Sequence, residues 1–157
     1  LTSSLCVAKS AQDIKTAYFY NFIKFITWPS NSNTNFINVC LLGEDPINQN
    51  LTKLESLAIS ERKIKIHKIS KIYAPTECDV VFIGASEEKF LKEIFLQLDK
   101  APVLTISNIH QFADQGGTIG FITQGNVIRF DVNLKQAKDI NLTISSKLLQ
   151  IANQVVR

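Results

Sequence analysis

The chain has 157 residues, of which 45% are hydrophobic and 20% charged, with a formal net charge of +3. That length supports one domain with a sizeable core and is too short for two ordinary domains, and the composition excludes a disordered or collagen-like chain. The charge is small and spread along the sequence, which argues against nucleic acid as a partner, and no apolar run approaches the roughly 20 residues of a membrane-spanning helix.

From the N-terminus, residues 1–11 read as a signal-peptide remnant or a mobile leader. Leu1-Thr2-Ser3-Ser4-Leu5-Cys6-Val7-Ala8 has the apolar end and small residues of a cleavage region without the positive start of a signal. Cys6 is therefore expected to stand outside the fold, and 12–157 to form a single α/β domain.

A helix is predicted over 12–27, stopping at Trp28-Pro29 because the residue before proline avoids helical geometry. The segment 17–29 holds six of the chain's fourteen aromatic residues. Ile14, Tyr18, Phe22 and Phe25 recur at helical spacing and make a core-facing stripe, with Phe19, Ile23 and Ile26 as a second stripe beside it. Both stripes can be core. Alternatively, the second covers a partner or a second copy of the chain, and we expect this interface role because exposed side chains of that size forfeit roughly 1.5 to 3 kcal/mol each.

After a polar loop over 30–35, residues 36–42 form a near-continuous apolar run closed by Gly43, the pattern of a strand covered on both faces. Residues 47–57 read as a helix. Residues 63–69 alternate as a strand, with Lys63 and Lys65 guarding its solvent face or edge and Lys68 further along. Residues 79–83 are a buried strand, followed by a helix to about residue 98 with Ser86 at its N-cap and Glu87 and Glu88 in the first turn. Residues 103–106 repeat the buried-strand pattern before a short helix over 109–114 ended by Gly116-Gly117. Residues 118–123 and 127–132 flank Gln124-Gly125-Asn126 as a hairpin. Helices are predicted over 134–139 and 143–156, the latter with Ile144, Leu148, Ile151 and Val155 as its docking stripe. Together these elements predict an α/β fold. A mainly parallel central sheet is flanked by helices on both faces, with a C-terminal antiparallel hairpin and a C-terminal helix.

Catalytic chemistry is hard to find in this pattern. His67 and His110 have no partners at metal-ligand spacing and read as surface histidines, so no metal site is expected. Gly84-Ala85-Ser86-Glu87 follows a strand and precedes a helix but is not a nucleophile elbow, and no glycine-rich phosphate loop occurs. The loops after the parallel strands carry Glu44, Asp45, Glu87 and Glu88, a poor place for phosphate. No cofactor and no catalytic residue are therefore assigned. Arg129 lies on the face opposite Ile128 and Phe130, and with Ser145, Ser146 and Lys147 it is a candidate polar recognition patch; the alternative is a surface ion pair with Asp131. Cys40 and Cys78 lie 38 residues apart without zinc or thioredoxin spacing. The residues alone leave open a disulfide or two buried thiols.

Several segments, in order, resemble the YfiR family (DUF4154). They are Ala17-Tyr18-Phe19-Tyr20-Asn21-Phe22-Ile23-Lys24-Phe25-Ile26-Thr27-Trp28-Pro29, Asn38-Val39-Cys40-Leu41-Leu42-Gly43-Glu44-Asp45-Pro46 and Cys78-Asp79-Val80-Val81-Phe82-Ile83-Gly84-Ala85-Ser86-Glu87. Pro102-Val103-Leu104-Thr105-Ile106, Phe112-Ala113 with Gly116-Gly117, Ile128-Arg129-Phe130-Asp131-Val132-Asn133-Leu134 and Ile144-Ser145-Ser146-Lys147-Leu148-Leu149 continue the series. The likeness runs from about residue 12 to the C-terminus. It implies a periplasmic repressor without enzymatic activity. Such a repressor binds the sensor region of a YfiN-like inner-membrane diguanylate cyclase, limits cyclic di-GMP signalling and biofilm formation, and is relieved by a YfiB-like outer-membrane lipoprotein. Because the periplasm is oxidising, it also favours the Cys40 to Cys78 disulfide; a homodimer is expected from the second stripe of the first helix. Two other classes remain to be distinguished: a periplasmic small-molecule receptor using the sheet-end crevice, and a hydrolase centred on Ser86.

Overall fold

In the computed structural model, which describes residues 10–29 and 35–157, the aromatic N-terminal segment forms helix α1 (Ala11–Lys24). Cys6, most of the expected leader and most of the 30–35 loop lie outside the described residues. Ser10 starts α1 with a reciprocal cap: its hydroxyl accepts from the Asp13 N–H at 3.1 Å, and the Asp13 carboxylate accepts from the Ser10 N–H. The helix stops at Lys24, earlier than predicted, because Ile26–Thr27 becomes a short strand, β1, paired with residues 143–144. Trp28 lies beyond that strand, where its indole N–H donates to the Asp79 carbonyl at 3.0 Å.

The elements that follow are β2 (Phe36–Leu42), α2 (Asn48–Leu51) with a 3-10 turn (Thr52–Leu54), β3 (Ala58–Ile59), β4 (Arg62–Ile69) and β5 (Val80–Ile83). After them come a 3-10 segment (Ala85–Phe90) leading into α3 (Leu91–Leu98), then β6 (Leu104–Ser107), β7 (Ile119–Gln124) and β8 (Val127–Asn133). The chain closes with α4 (Leu134–Asp139), β9 (Thr143–Ile144), α5 (Ser146–Ile151) and β10 (Gln154–Val156). Eight strands form one sheet in the order β10-β8-β7-β6-β5-β2-β4-β3, parallel except at the β7–β8 hairpin and the short β3–β4 pair. The hairpin turns through Gly125-Asn126 with Gln124 opposite Val127, and Gly125 takes φ +61°, a left-handed conformation that glycine adopts without strain.

Alternation along the buried strands divides the core in two. Ile37, Val39 and Leu41 of β2 face one cluster with α1, Leu51, Ala137 and Leu148, while Cys40 and Leu42 face another with Leu91, Ile94 and Leu98 of α3. The sheet therefore has helices on both faces, as its continuous apolar strands predict. The two stripes of α1 serve one broad sheet. Tyr18 and Phe22 pack against Phe130, with ring centroids 5.5 and 4.8 Å away, and Phe19 meets Phe82 edge-on at 6.1 Å.

Three predicted helices are corrected. The one over 47–57 is only α2 and a 3-10 turn, since residues 58–59 are taken by β3. Residues 109–114 are turns rather than a helix. The stretch 143–156 breaks into strand, helix and strand: Ile144 pairs with Ile26, Ala152 is extended, and β10 adds in parallel to the open edge of β8. Pairing the β8 backbone there outweighs the helical stripe, which leaves Ile151 59% exposed.

Candidate functional site

The chain runs from β2 outward to β4 and then returns to β5 on the other side of β2, so the topological switch point lies between β2 and β5. In sheets of this kind that crevice, at the strand carboxyl ends, is the usual ligand position. Here the two loops close on each other. The Gly84 N–H donates to the Leu42 carbonyl at 2.8 Å, and the Glu44 N–H donates to Ser86 Oγ at 2.8 Å. A Cβ on Gly84 would lie 2.6 Å from the Glu44 carbonyl oxygen, so only glycine permits this approach. Ser86 is consequently not the N-cap that was expected: Gly84 holds that place without a side-chain bond, and the Ser86 hydroxyl donates to Glu87 Oε2 at 3.0 Å.

Asp45 organises the same end of the sheet. Its carboxylate accepts from the Ile47 N–H at 3.2 Å, the Ala85 N–H at 3.0 Å and Asn108 Nδ2 at 3.2 Å, tying together the loops after β2, β5 and β6. Lys15 reaches this region from α1. Burial holds its ammonium below the ordinary lysine range, opposed by the Asp45 charge, and the ammonium stands 5.9 Å from the centre of the Phe121 ring. A cavity of about 330 Å³ opens beside it, lined by Lys15, Asn108, His110, Phe112, Phe121 and Asp131 among others. Among the described residues, Asn108 Oδ1 is buried there with no hydrogen-bond partner. Asp131 is only 9% exposed and accepts from Asn153 Nδ2 at 2.9 Å. A cation, unused amide acceptor and apolar wall can hold a small polar molecule with an apolar body. Sequence reasoning pointed to the strand-end loops and Asp45 but missed Lys15, because α1 announced itself as a core helix and its approach to the sheet end depends on docking.

Cys40 and Cys78 are joined, with Cα atoms 5.9 Å apart. Cys40 sits between His67 of β4 and Val81 of β5, and Cys78 lies two residues before β5, where the turn Pro75–Glu77 lets it reach across. His67 is half-buried rather than on the surface and shares a 2.9 Å hydrogen bond with Asn38 Oδ1. His110 is exposed. Among the described residues no group of three or more His, Cys, Asp or Glu could hold a metal ion, and no helix is long and apolar enough to cross a membrane.

The interface expected of Phe19, Ile23 and Ile26 is corrected. They are 0%, 1% and 6% exposed inside this chain, because α1 lies along the sheet and presents a wide apolar arc to it. Arg129 does stand exposed opposite Ile128 and Phe130. No hydrogen bond or ion pair among the described residues joins it to Asp131, Ser145, Ser146 or Lys147. Ser145 is used locally, accepting from the Lys147 N–H at 3.2 Å as the cap of α5, and its own N–H bonds to the Phe25 carbonyl.

These features define a doubly wound α/β protein. Two solved structures resemble it in fold. One is a conserved domain protein from Vibrio cholerae O1 biovar El Tor, with TM-score 0.64 and 10% identity, the match covering 93% of this chain and 60% of that one. The other is the ABC domain from Streptococcus pneumoniae in complex with L-Trp, with TM-score 0.58 and 10% identity, covering 87% of this chain and 58% of that one. The chain thus spans about three fifths of the length of either structure, and at such identity the likeness is one of fold alone. No curated protein matches the sequence. The YfiR/HmsC-like family model, DUF4154, matches residues 12–153, and the chain belongs to that family.

Proposed function

We propose that the protein is a periplasmic binding protein that holds a YfiN-like inner-membrane diguanylate cyclase inactive through its sensor region, limiting cyclic di-GMP signalling. A YfiB-like outer-membrane lipoprotein relieves it. The observation that carries this reading is the family match across 142 residues, 12–153. That family supports a periplasmic, non-catalytic regulator of the diguanylate cyclase system in general. Repression then requires that the chain bind the inactive state of its partner more tightly than the active one; equal affinity for both would shift nothing. The exposed Arg129, with Ser146 and Lys147, is the proposed contact patch. Calorimetry with the isolated sensor region of the cyclase should give saturable binding, weakened by Arg129→Glu, and cells lacking the chain should accumulate cyclic di-GMP. Absence of binding, together with unchanged cyclic di-GMP, refutes the reading.

One observation favours a second reading, a small-molecule receptor: the cavity beside Lys15, with its unpartnered Asn108 Oδ1. A ligand bound there would raise the melting temperature in a concentration-dependent way, and Lys15→Ala would abolish the shift.

A further inference from the structure

We propose that the outer edge of β4 is a docking site for an acidic extended segment of a partner protein, added as a further strand of the sheet. The surface is separate from the Arg129 patch and does not depend on the identity of any regulated enzyme.

The backbone of β4 divides cleanly. Its odd-numbered residues bond inward along the full length of β2, with the Lys63 N–H on the Asn35 carbonyl and the Ile69 carbonyl on the Gly43 N–H at the two ends. Its even-numbered residues face outward. β3 covers only the start of that side, pairing at Arg62 and Lys63. Ile64 is satisfied in both directions, by the Leu57 carbonyl at 2.8 Å and the Ser56 N–H at 2.9 Å. The Ile66 N–H donates to the carboxylate of Glu55. Beyond this point the Ile66 carbonyl and both backbone groups of Lys68 have no hydrogen-bond partner among the described residues. This is an open stretch of edge on a strand whose inner side is fully paired, the arrangement that strand addition uses.

Charge selects the occupant. Lys63, Lys65 and Lys68 are all exposed, the first two on one face of the strand and Lys68 on the other, so an added strand meets a lysine on either side. The Lys65 ammonium stands 5.1 Å from the centre of the exposed Phe36 ring, at the border of the same face. A second copy of this chain pairing edge to edge would bring lysines against lysines, which is destabilising. An acidic strand meets complementary charge, and the Glu55 carboxylate on the Ile66 N–H is an example of the same recognition within the chain.

The test titrates the isotope-labelled protein with a short synthetic peptide alternating valine and glutamate. Saturable amide shifts at Ile66 and Lys68, and slowed exchange of the Lys68 amide, are expected, with affinity falling as salt rises. Lys68→Pro removes an outward N–H without touching the β2 ladder, a position where an edge strand tolerates proline, and should weaken binding about tenfold. The double variant Lys65→Glu with Lys68→Glu keeps every backbone bond and should weaken binding at least as much. No shift at residues 66–69, unchanged affinity in both variants, or equal binding of a valine–lysine peptide overturns the proposal.

Discussion

Ile23 separates a core helix from a docking helix. Its side chain is 1% exposed and belongs to the cluster that contains Phe19, Phe22, Ile26, Val39 and Phe82. Truncation to alanine removes buried carbon and leaves a cavity that the surrounding rings cannot easily fill, a loss of about 2 to 5 kcal/mol. Aspartate at the same place also strands a carboxylate away from water, where it must find a partner, take up a proton or open the helix. Domains of this size are held by only about 5 to 15 kcal/mol. Ile23→Ala is therefore expected to lower the urea midpoint clearly while the slope of the transition stays the same, and Ile23→Asp to yield little folded protein. Circular dichroism and tryptophan fluorescence, followed together through the transition, report both. Trp28 suits the second probe because its indole is fixed to Asp79 at the far end of the same segment. A folded Ile23→Asp variant with an unchanged midpoint and a loss of association would refute the core assignment and restore the docking role.

Replacing both Cys40 and Cys78 by alanine should cost about 4 kcal/mol, the loop-closure value for a separation of 38 residues; thermal unfolding with and without reductant checks it, and equal melting temperatures would contradict it. At the helix start, hydrogen bonds from the Ser10 side chain and backbone hold the Asp13 carboxyl below its ordinary range. Because this pKa is lowered on folding, the associated stability is present above the unfolded value and lost as pH falls through the folded one. Ser10→Ala should move the Asp13 titration, followed by NMR, upward toward the ordinary aspartate range; an unmoved titration would mean that the cap does not set it.

The strands covered on both faces were legible because burial on two sides leaves almost no polar residue in the run: β2 coincides with its predicted limits, and β5 and β6 differ by a residue or so. The hairpin was equally legible, since Gly125 supplies a conformation that most residues resist. Helices whose boundaries are set by distant partners were not. Residues 143–156 carry a helical stripe, yet Ile144 answers to Ile26 and Val155 to Val132, partners more than twenty residues away in sequence. The candidate site divides in the same way. Asp45 was visible as an acid after a strand, but its three donors come from the loops after β2, β5 and β6, and no local pattern announces that convergence.

The order of apolar and polar residues by itself determined the α/β class, the buried strands and the amphipathic first helix, because these depend on periods of two and 3.6 residues that any window of sequence displays. Tertiary structure alone decided what each face would meet. The second stripe of α1 has the composition of a docking surface, and only the width of the sheet beneath it makes it core. The edge of β4 has lysines in any reading, and only the shortness of β3 leaves the Ile66 carbonyl and the Lys68 backbone groups without a partner among the described residues. Local chemistry sets what a segment can bury or bond; which partner it finds depends on contacts between residues far apart in the chain, and these exist only once the whole sheet is assembled.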